Sequence, residues 1–231
     1  MPDADLAAAA RAAREGDPDA LDAVLARRPD LATARPDGAR TLLHMAVDWP
    51  GHRAGIARTV AALAAAGADL DAPYAGPEHR ERPLHWAASN DDVAAIDALL
   101  DAGARVDPPG SPFGDGTPLL DACAFAQWRA ARRLVERGAA VDLWTGAALG
   151  MDSRVAQLLA AAPTPSHDEV TAALWAAAHG GHRAAAELLL DRDADPAWTG
   201  YDDLTPAEAA ARQGHDALAA WLGGRARRAP G

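Results

Sequence analysis

Seven tryptophans, Trp49, Trp86, Trp128, Trp144, Trp175, Trp198 and Trp221, are spread along this chain, with Asp48, Asp121, His85 and His179 set among them. Indole walls with a few polar anchors are the usual make-up of a site for a small molecule or a cation. Asp121 with His85 or His179 would supply an acid/base pair, provided the tryptophans exclude water and move the pKa values. Such a pair suits a hydrolysis, isomerisation or cyclisation that needs no cofactor. The same rings could instead fill gaps that the many alanines leave in a core, each indole N–H meeting a carbonyl.

Other chemistry is poorly provided for. His179 and His182 stand three residues apart, but Gly180 and Gly181 between them make a turn. No cysteine or carboxylate set completes a zinc shell there, so no metal is expected. Cys123 falls at a core-facing place rather than in the exposed, electropositive setting that a nucleophilic thiolate needs. The chain has no lysine, which removes Schiff-base and P-loop chemistry. Gly-rich phosphate loops, G-x-S-x-G and H-E-x-x-H are also missing, and no cofactor is expected.

A formal charge of -11 disfavours nucleic acid as a partner, since that needs a basic footprint. One cysteine precludes an intramolecular disulfide and fits a reducing compartment. The acidic start, Met1-Pro2-Asp3-Ala4-Asp5, does not read as a signal peptide, and no run of 18 apolar residues is present. These features together predict a soluble cytoplasmic protein without a membrane partner.

The elements that must position these residues come from a recurring phrase. Thr41-Leu42-Leu43-His44-Met45-Ala46 is followed by Arg82-Pro83-Leu84-His85-Trp86-Ala87-Ala88, then by Thr117-Pro118-Leu119-Leu120-Asp121-Ala122, and later by Thr205-Pro206-Ala207-Glu208-Ala209-Ala210. Each copy leads into a second apolar segment with paired large residues, such as Leu99-Leu100, Leu134-Val135, Leu158-Leu159 and Leu189-Leu190, and then a small turn such as Gly67-Ala68-Asp69. The spacing of Leu99, Leu134, Leu158, Leu189 and Leu222 runs 35, 24, 31 and 33 residues. Threonine caps with proline at the first helical position should open the first helix of each unit. Seven helical pairs are predicted, at about 3–35, 36–73, 77–107, 112–142, 143–163, 167–198 and 200–228, in a single domain spanning 1–231. The fifth is short, with Trp144 read at the place of the motif histidine, and the sixth has Trp175 there.

A period near ~33 residues carrying T-P-L-H-x-A resembles the ankyrin repeat, and the chain resembles a stand-alone bacterial ankyrin-repeat protein over nearly all its length. The resemblance implies an all-α solenoid of about seven helix-turn-helix units with a concave groove. It also implies that ligands meet the turn tips and the exposed ends of the first helices. Those groove places are Asp48 and Trp49, Ser89 and Asn90, Ala124 and Phe125, Ala148 and Leu149, His179 and Gly180, and Arg212 and Gln213, with Arg40, His79, Arg80, Glu81, Phe113, Asp115, Tyr201 and Asp202 at the tips. The motif residues His44 and His85 are expected to bridge neighbouring turns. Two long segments, Pro73–Glu78 and Pro108–Gly116, replace short tips and would reshape the binding face.

Two functions follow as expectations. The favoured one is an interaction scaffold whose groove binds a protein or peptide. The alternative is a small-molecule binder or a cofactor-independent acid/base enzyme. Its ligand-binding candidates are Asp48, Trp49, Trp86, Asn90, Phe125, Trp128, Trp144 and Trp175, and its catalytic candidates are Asp121, His179 and His85.

Overall fold

The computed structural model describes residues 3–77 and 80–227, and every regular element among them is helical. His79 and the end of the seventh predicted unit at 228 lie outside the described residues. Contacts divide the chain into two units, 1–139 and 140–231. The first holds four helix pairs: α1 (Ala4–Glu15) with α2 (Pro18–Leu25), α3 (Leu42–Val47) with α4 (Ile56–Ala65), α5 (Pro83–Ser89) with α6 (Val93–Asp101), and α7 (Pro118–Ala124) with α8 (Trp128–Glu136). The second holds three: α9 (Leu143–Ala148) with α10 (Asp152–Leu159), α11 (His167–Gly180) with α12 (Arg183–Leu190), and α13 (Pro206–Arg212) with α14 (Asp216–Ala226).

Within the first unit α1, α3, α5 and α7 pack in succession, and α2, α4, α6 and α8 form a parallel row behind them. The core lies between the rows, where Leu21, Leu43, Leu63, Leu84, Ile96, Leu99, Leu119 and Leu134 are fully buried. Each such side chain contributes roughly 1.5–3 kcal/mol of hydrophobic burial. Helices of six to twelve residues are too short to persist alone, so stacking supplies their stability. Ala87, Ala88, Ala122 and Cys123 are completely buried, and their small size lets neighbouring first helices approach. In the second unit α9, α11 and α13 pack in order, with α10 against α12.

Helix starts follow the cap chemistry in most units. Asp3 accepts from the Asp5 and Leu6 amides, Asp17 accepts from Ala20 N ahead of Pro18, and Thr41 and Thr205 each close a capping box. Thr117 occupies the cap position of α7 without a side-chain bond to the helix, so the Thr-Pro pair does not always cap through its hydroxyl. The fifth pair corrects the sequence reading by one residue. Asp142 caps α9 and Thr145, not Trp144, sits three residues on, in the capping-box place that His44 and His85 hold. The buried leucine of α10 is likewise Leu159 rather than Leu158. A periodic pattern could not resolve that slip, because Leu158 and Leu159 are equally apolar.

The motif histidines bridge pairs as expected. His44 Nδ1 accepts from Thr41 N at 3.3 Å, and its Nε2 meets the Glu81 carbonyl at 3.2 Å. His85 repeats this, with Nδ1 accepting from Arg82 N at 3.1 Å and Nε2 against Gly116 O at 3.3 Å. An accepting Nδ1 fixes the tautomer, so Nε2–H is the donor to each carbonyl. In α11 the indole of Trp175 takes over, donating to Leu204 O at 3.0 Å. All three carbonyls belong to the residue just before the next cap: Glu81 before Arg82, Gly116 before Thr117, Leu204 before Thr205. One geometric requirement is thus met by two different ring systems.

Candidate functional site

The first helices end at one exposed face of the first unit. There Asp48, Trp49, Glu81, Trp86, Ser89, Asn90, Pro112 and Phe125 line a cavity of about 260 Å³. α3, α5 and α7 each deliver residues from their C-terminal ends or the turns that follow, while Glu81 comes from the turn tip just before α5 and Pro112 from the Pro108–Gly116 segment. Trp49 is 77% exposed, Phe125 48% and Phe113 41%, and the two phenylalanine rings meet at 5.5 Å. Trp86 forms the inner wall. Its ring lies edge-on to His44 at 5.0 Å and near Tyr74 at 5.9 Å.

The polar groups of the cavity are held from behind. Trp86 donates its indole N–H to Glu81 Oε2 at 3.2 Å, Asn90 donates Nδ2–H to Val47 O at 2.8 Å, and Ser89 donates its hydroxyl to His85 O at 3.0 Å. Asp48 accepts from Arg40 Nη1 at 2.6 Å and from Trp49 N at 2.9 Å. Arg40 is in turn held by Asp37 at 2.6 Å. That salt bridge and its amide bonds keep the Asp37 carboxyl down at about 2, against the cost of its burial.

Beneath the cavity Asp121 is completely buried and accepts from Ser111 Oγ at 2.5 Å, while Ser111 Oγ accepts from Phe113 N at 3.0 Å. Burial pushes the Asp121 carboxyl up to about 8; the Ser111 bond opposes this and the neighbouring Glu81 carboxyl adds to it. Two like charges are costly in one buried place, so Asp121 keeps its proton at neutral pH.

The residues expected to act on Asp121 are differently employed. Both ring nitrogens of His85 meet backbone groups, and a charged neighbour acting on Asp121 is Glu81. Glu81 had been legible only as a turn tip, and Ser111 only as part of a long segment; neither carries a motif of its own. His179 belongs to the second unit, where its buried ring stacks on Trp175 at 5.0 Å and 17°, and its Nδ1 lies 3.4 Å from Gln213 Nε2. Around it Tyr201 meets Trp144 at 5.9 Å, Trp175 at 5.0 Å and Trp198 at 6.0 Å, all nearly edge-on. Burial raises the Tyr201 phenol.

The candidate tryptophans therefore fall into separate groups. Trp49 and Trp86 share the first-unit cavity, whereas Trp144 and Trp175 join the second-unit cluster. Trp128 opens α8, a second helix, and the ring of Trp221 on α14 has the guanidinium groups of Arg183 and Arg225 over it at 4.7 and 4.8 Å. Among the described residues no group of three or more His, Cys, Asp or Glu side chains could hold a metal ion, and no helix is long and apolar enough to cross a membrane.

The ankyrin repeat model matches residues 80–110, the third helix pair with its flanking segments. The fold is also that of the human ASB11 ankyrin repeat domain, with a TM-score of 0.56 over 96% of this chain and 98% of that one at 18% identity. This is an ankyrin-repeat fold. Curated relatives include the ankyrin repeat, SAM and basic leucine zipper domain-containing protein 1 of Eulemur macaco macaco, 30% identical over 65% of this chain and 27% of that protein. Its counterpart in Microcebus murinus is 30% identical over 63% of this chain and 26% of that protein. The chain thus spans about a quarter of the length of the curated relatives it matches. In ankyrin terms the cavity sits where first-helix ends and turn tips meet, and Trp49 and Phe125 occupy equivalent turn positions in the second and fourth repeats.

Proposed function

We propose that this chain is an interaction scaffold that binds a protein or peptide through the groove face of its first unit. One observation carries the reading. Trp49, an indole 77% exposed, lines a cavity with Phe125, whose ring meets the exposed Phe113, and the inner side chains of that cavity are held by hydrogen bonds. Large exposed aromatics gathered at a cavity mark interaction surfaces, and tryptophan is enriched among the residues that dominate binding energy. Ankyrin repeats typically mediate protein–protein interaction, which supports the same reading. The stacked pairs hold the groove in place before binding, so little ordering entropy is lost on association.

Selection from a random peptide library on the immobilised full chain tests this, with Trp49→Ala/Phe125→Ala as the counter-target. Peptides that bind the native chain and not the double variant are expected. Indistinguishable pools from the two would refute groove binding.

The buried Asp121–Glu81 pair favours a second reading, small-molecule binding with acid/base chemistry, because a carboxyl protonated at neutral pH can donate a proton. A panel of metabolites screened by tryptophan fluorescence tests it. A flat response across the panel counts against it.

A further inference from the structure

Trp49, Asn90 and Phe125 hold the same place in three successive repeats, each eight residues after its helix cap at Thr41, Arg82 and Thr117. Asn90, smaller than either ring, thus stands between two aromatics, and the cavity of about 260 Å³ opens there with Trp86 as its inner wall. The polar groups along that wall are spent on the fold. Trp86 donates to the buried Glu81, Asn90 donates to Val47 O, and Ser89 donates to His85 O. Glu81 also acts on Asp121 beneath it. At the rim Asp48 is paired with Arg40, which Asp37 holds as well.

A charged guest entering this cavity would give up water and find each lining carboxylate already engaged, and burying an unpaired charge is costly. What the face offers openly is ring surface. Trp49 is 77% exposed, Phe125 48% and Phe113 41%, and Phe113 extends the apolar surface of Phe125 beyond the cavity, the ring centres 5.5 Å apart. Covering such rings releases water from apolar area, the main drive of most protein association. A small molecule confined to the cavity would leave Phe113 in water, whereas a chain crossing from Trp49 to Phe113 covers all three rings. We propose that this face is a two-point seat for an apolar peptide segment of a protein partner: one bulky side chain (Leu, Ile, Met or Phe) enters the cavity between Trp49, Trp86 and Phe125, and a second lies on Phe113. This rests on the groove-binding reading above and names the side chains that the groove takes.

The library peptides enriched on the native full chain and lost on Trp49→Ala/Phe125→Ala answer the question. Bulky apolar residues should recur at two positions among them, with no charge recurring at either. In a synthetic copy, replacing the first of these residues by alanine should weaken binding measured by calorimetry by about tenfold or more. Replacing it by arginine or glutamate should weaken binding at least as much. Alanine at the second position should weaken binding to the native chain but not to Phe113→Ala, a coupling of about threefold or more in a double-mutant cycle. Phe113 is exposed, and an unfolding curve confirms that its variant is folded. Peptides that need the two rings but carry a recurring charged residue, or whose apolar residues show no coupling to Phe113, would overturn the two-point assignment while groove binding stands. A dimer of the peptide-free chain that Trp49→Ala abolishes would give the face to a second copy and overturn it too. If no peptide depends on the two rings, groove binding itself fails.

Discussion

Ser111 donates its hydroxyl proton to Asp121 across 2.5 Å, fastening the Pro108–Gly116 segment to a completely buried carboxyl on α7. The same hydroxyl accepts from Phe113 N, so one oxygen shapes the segment and anchors it. Ser111→Ala would leave a buried acceptor unsatisfied and should cost about 1–3 kcal/mol, read from urea unfolding. A loss below a few tenths would show that the segment is held by other contacts.

Asp121 gives the chain a distinctive pH dependence. Its carboxyl titrates near 3.8 when exposed and near about 8 in the fold, so the native state holds a proton that the unfolded chain has lost. The stabilising contribution is complete below the unfolded value and is lost as pH rises toward about 8. Between those limits the group should lower stability by up to ~1.4 kcal/mol per pH unit. Asp121→Asn removes the titration and should flatten that slope, with the larger gain over native at pH 8 than at pH 5. Parallel stability–pH curves for the two proteins would refute this.

Trp175 replaces a bridging histidine with an indole, and only its N–H reaches Leu204 O. Trp175→Phe keeps most of the apolar area and deletes the donor. A cost of about 1–2 kcal/mol is expected from denaturant unfolding.

Ala126 holds φ 57° at the turn between α7 and α8, where later pairs place Gly150 at 64°, Gly181 at 81° and Gly214 at 80°. A β-carbon in that left-handed region costs roughly 1–2 kcal/mol, and glycine removes the cost at some loss of unfolded-state restriction. Ala126→Gly should therefore stabilise the protein by about 0.5–1 kcal/mol. A drop in the midpoint of thermal unfolding would contradict it.

Trp49 separates binding from folding. Because its ring is 77% exposed, Trp49→Ala should shift stability by no more than about 0.5 kcal/mol. Loss of peptide binding with an unchanged unfolding curve is the expected pair of results; a large destabilisation would mean that the ring supports the fold.

The repeated phrase determined a great deal unaided. A period of 3.6 within segments and one near 33 between them leaves short amphipathic helices no option but to stack, so helix pairing, the turn positions and the role of His44 and His85 were all readable. Asp48, Trp49, Asn90 and Phe125 were legible as neighbours because equivalent repeat positions must come together. The one-residue slip in the fifth pair was not, since adjacent leucines satisfy the pattern equally well. Neither was the partner of Asp121. That carboxyl meets Glu81 and Ser111, which lie 40 residues before it and ten before it in segments without periodicity. Repeat spacing constrains what lies on the helices, but irregular segments are placed only by what they touch. The make-up of the cavity was therefore decided by tertiary contact: which side chains meet there, and which of their groups are tied to the fold behind them.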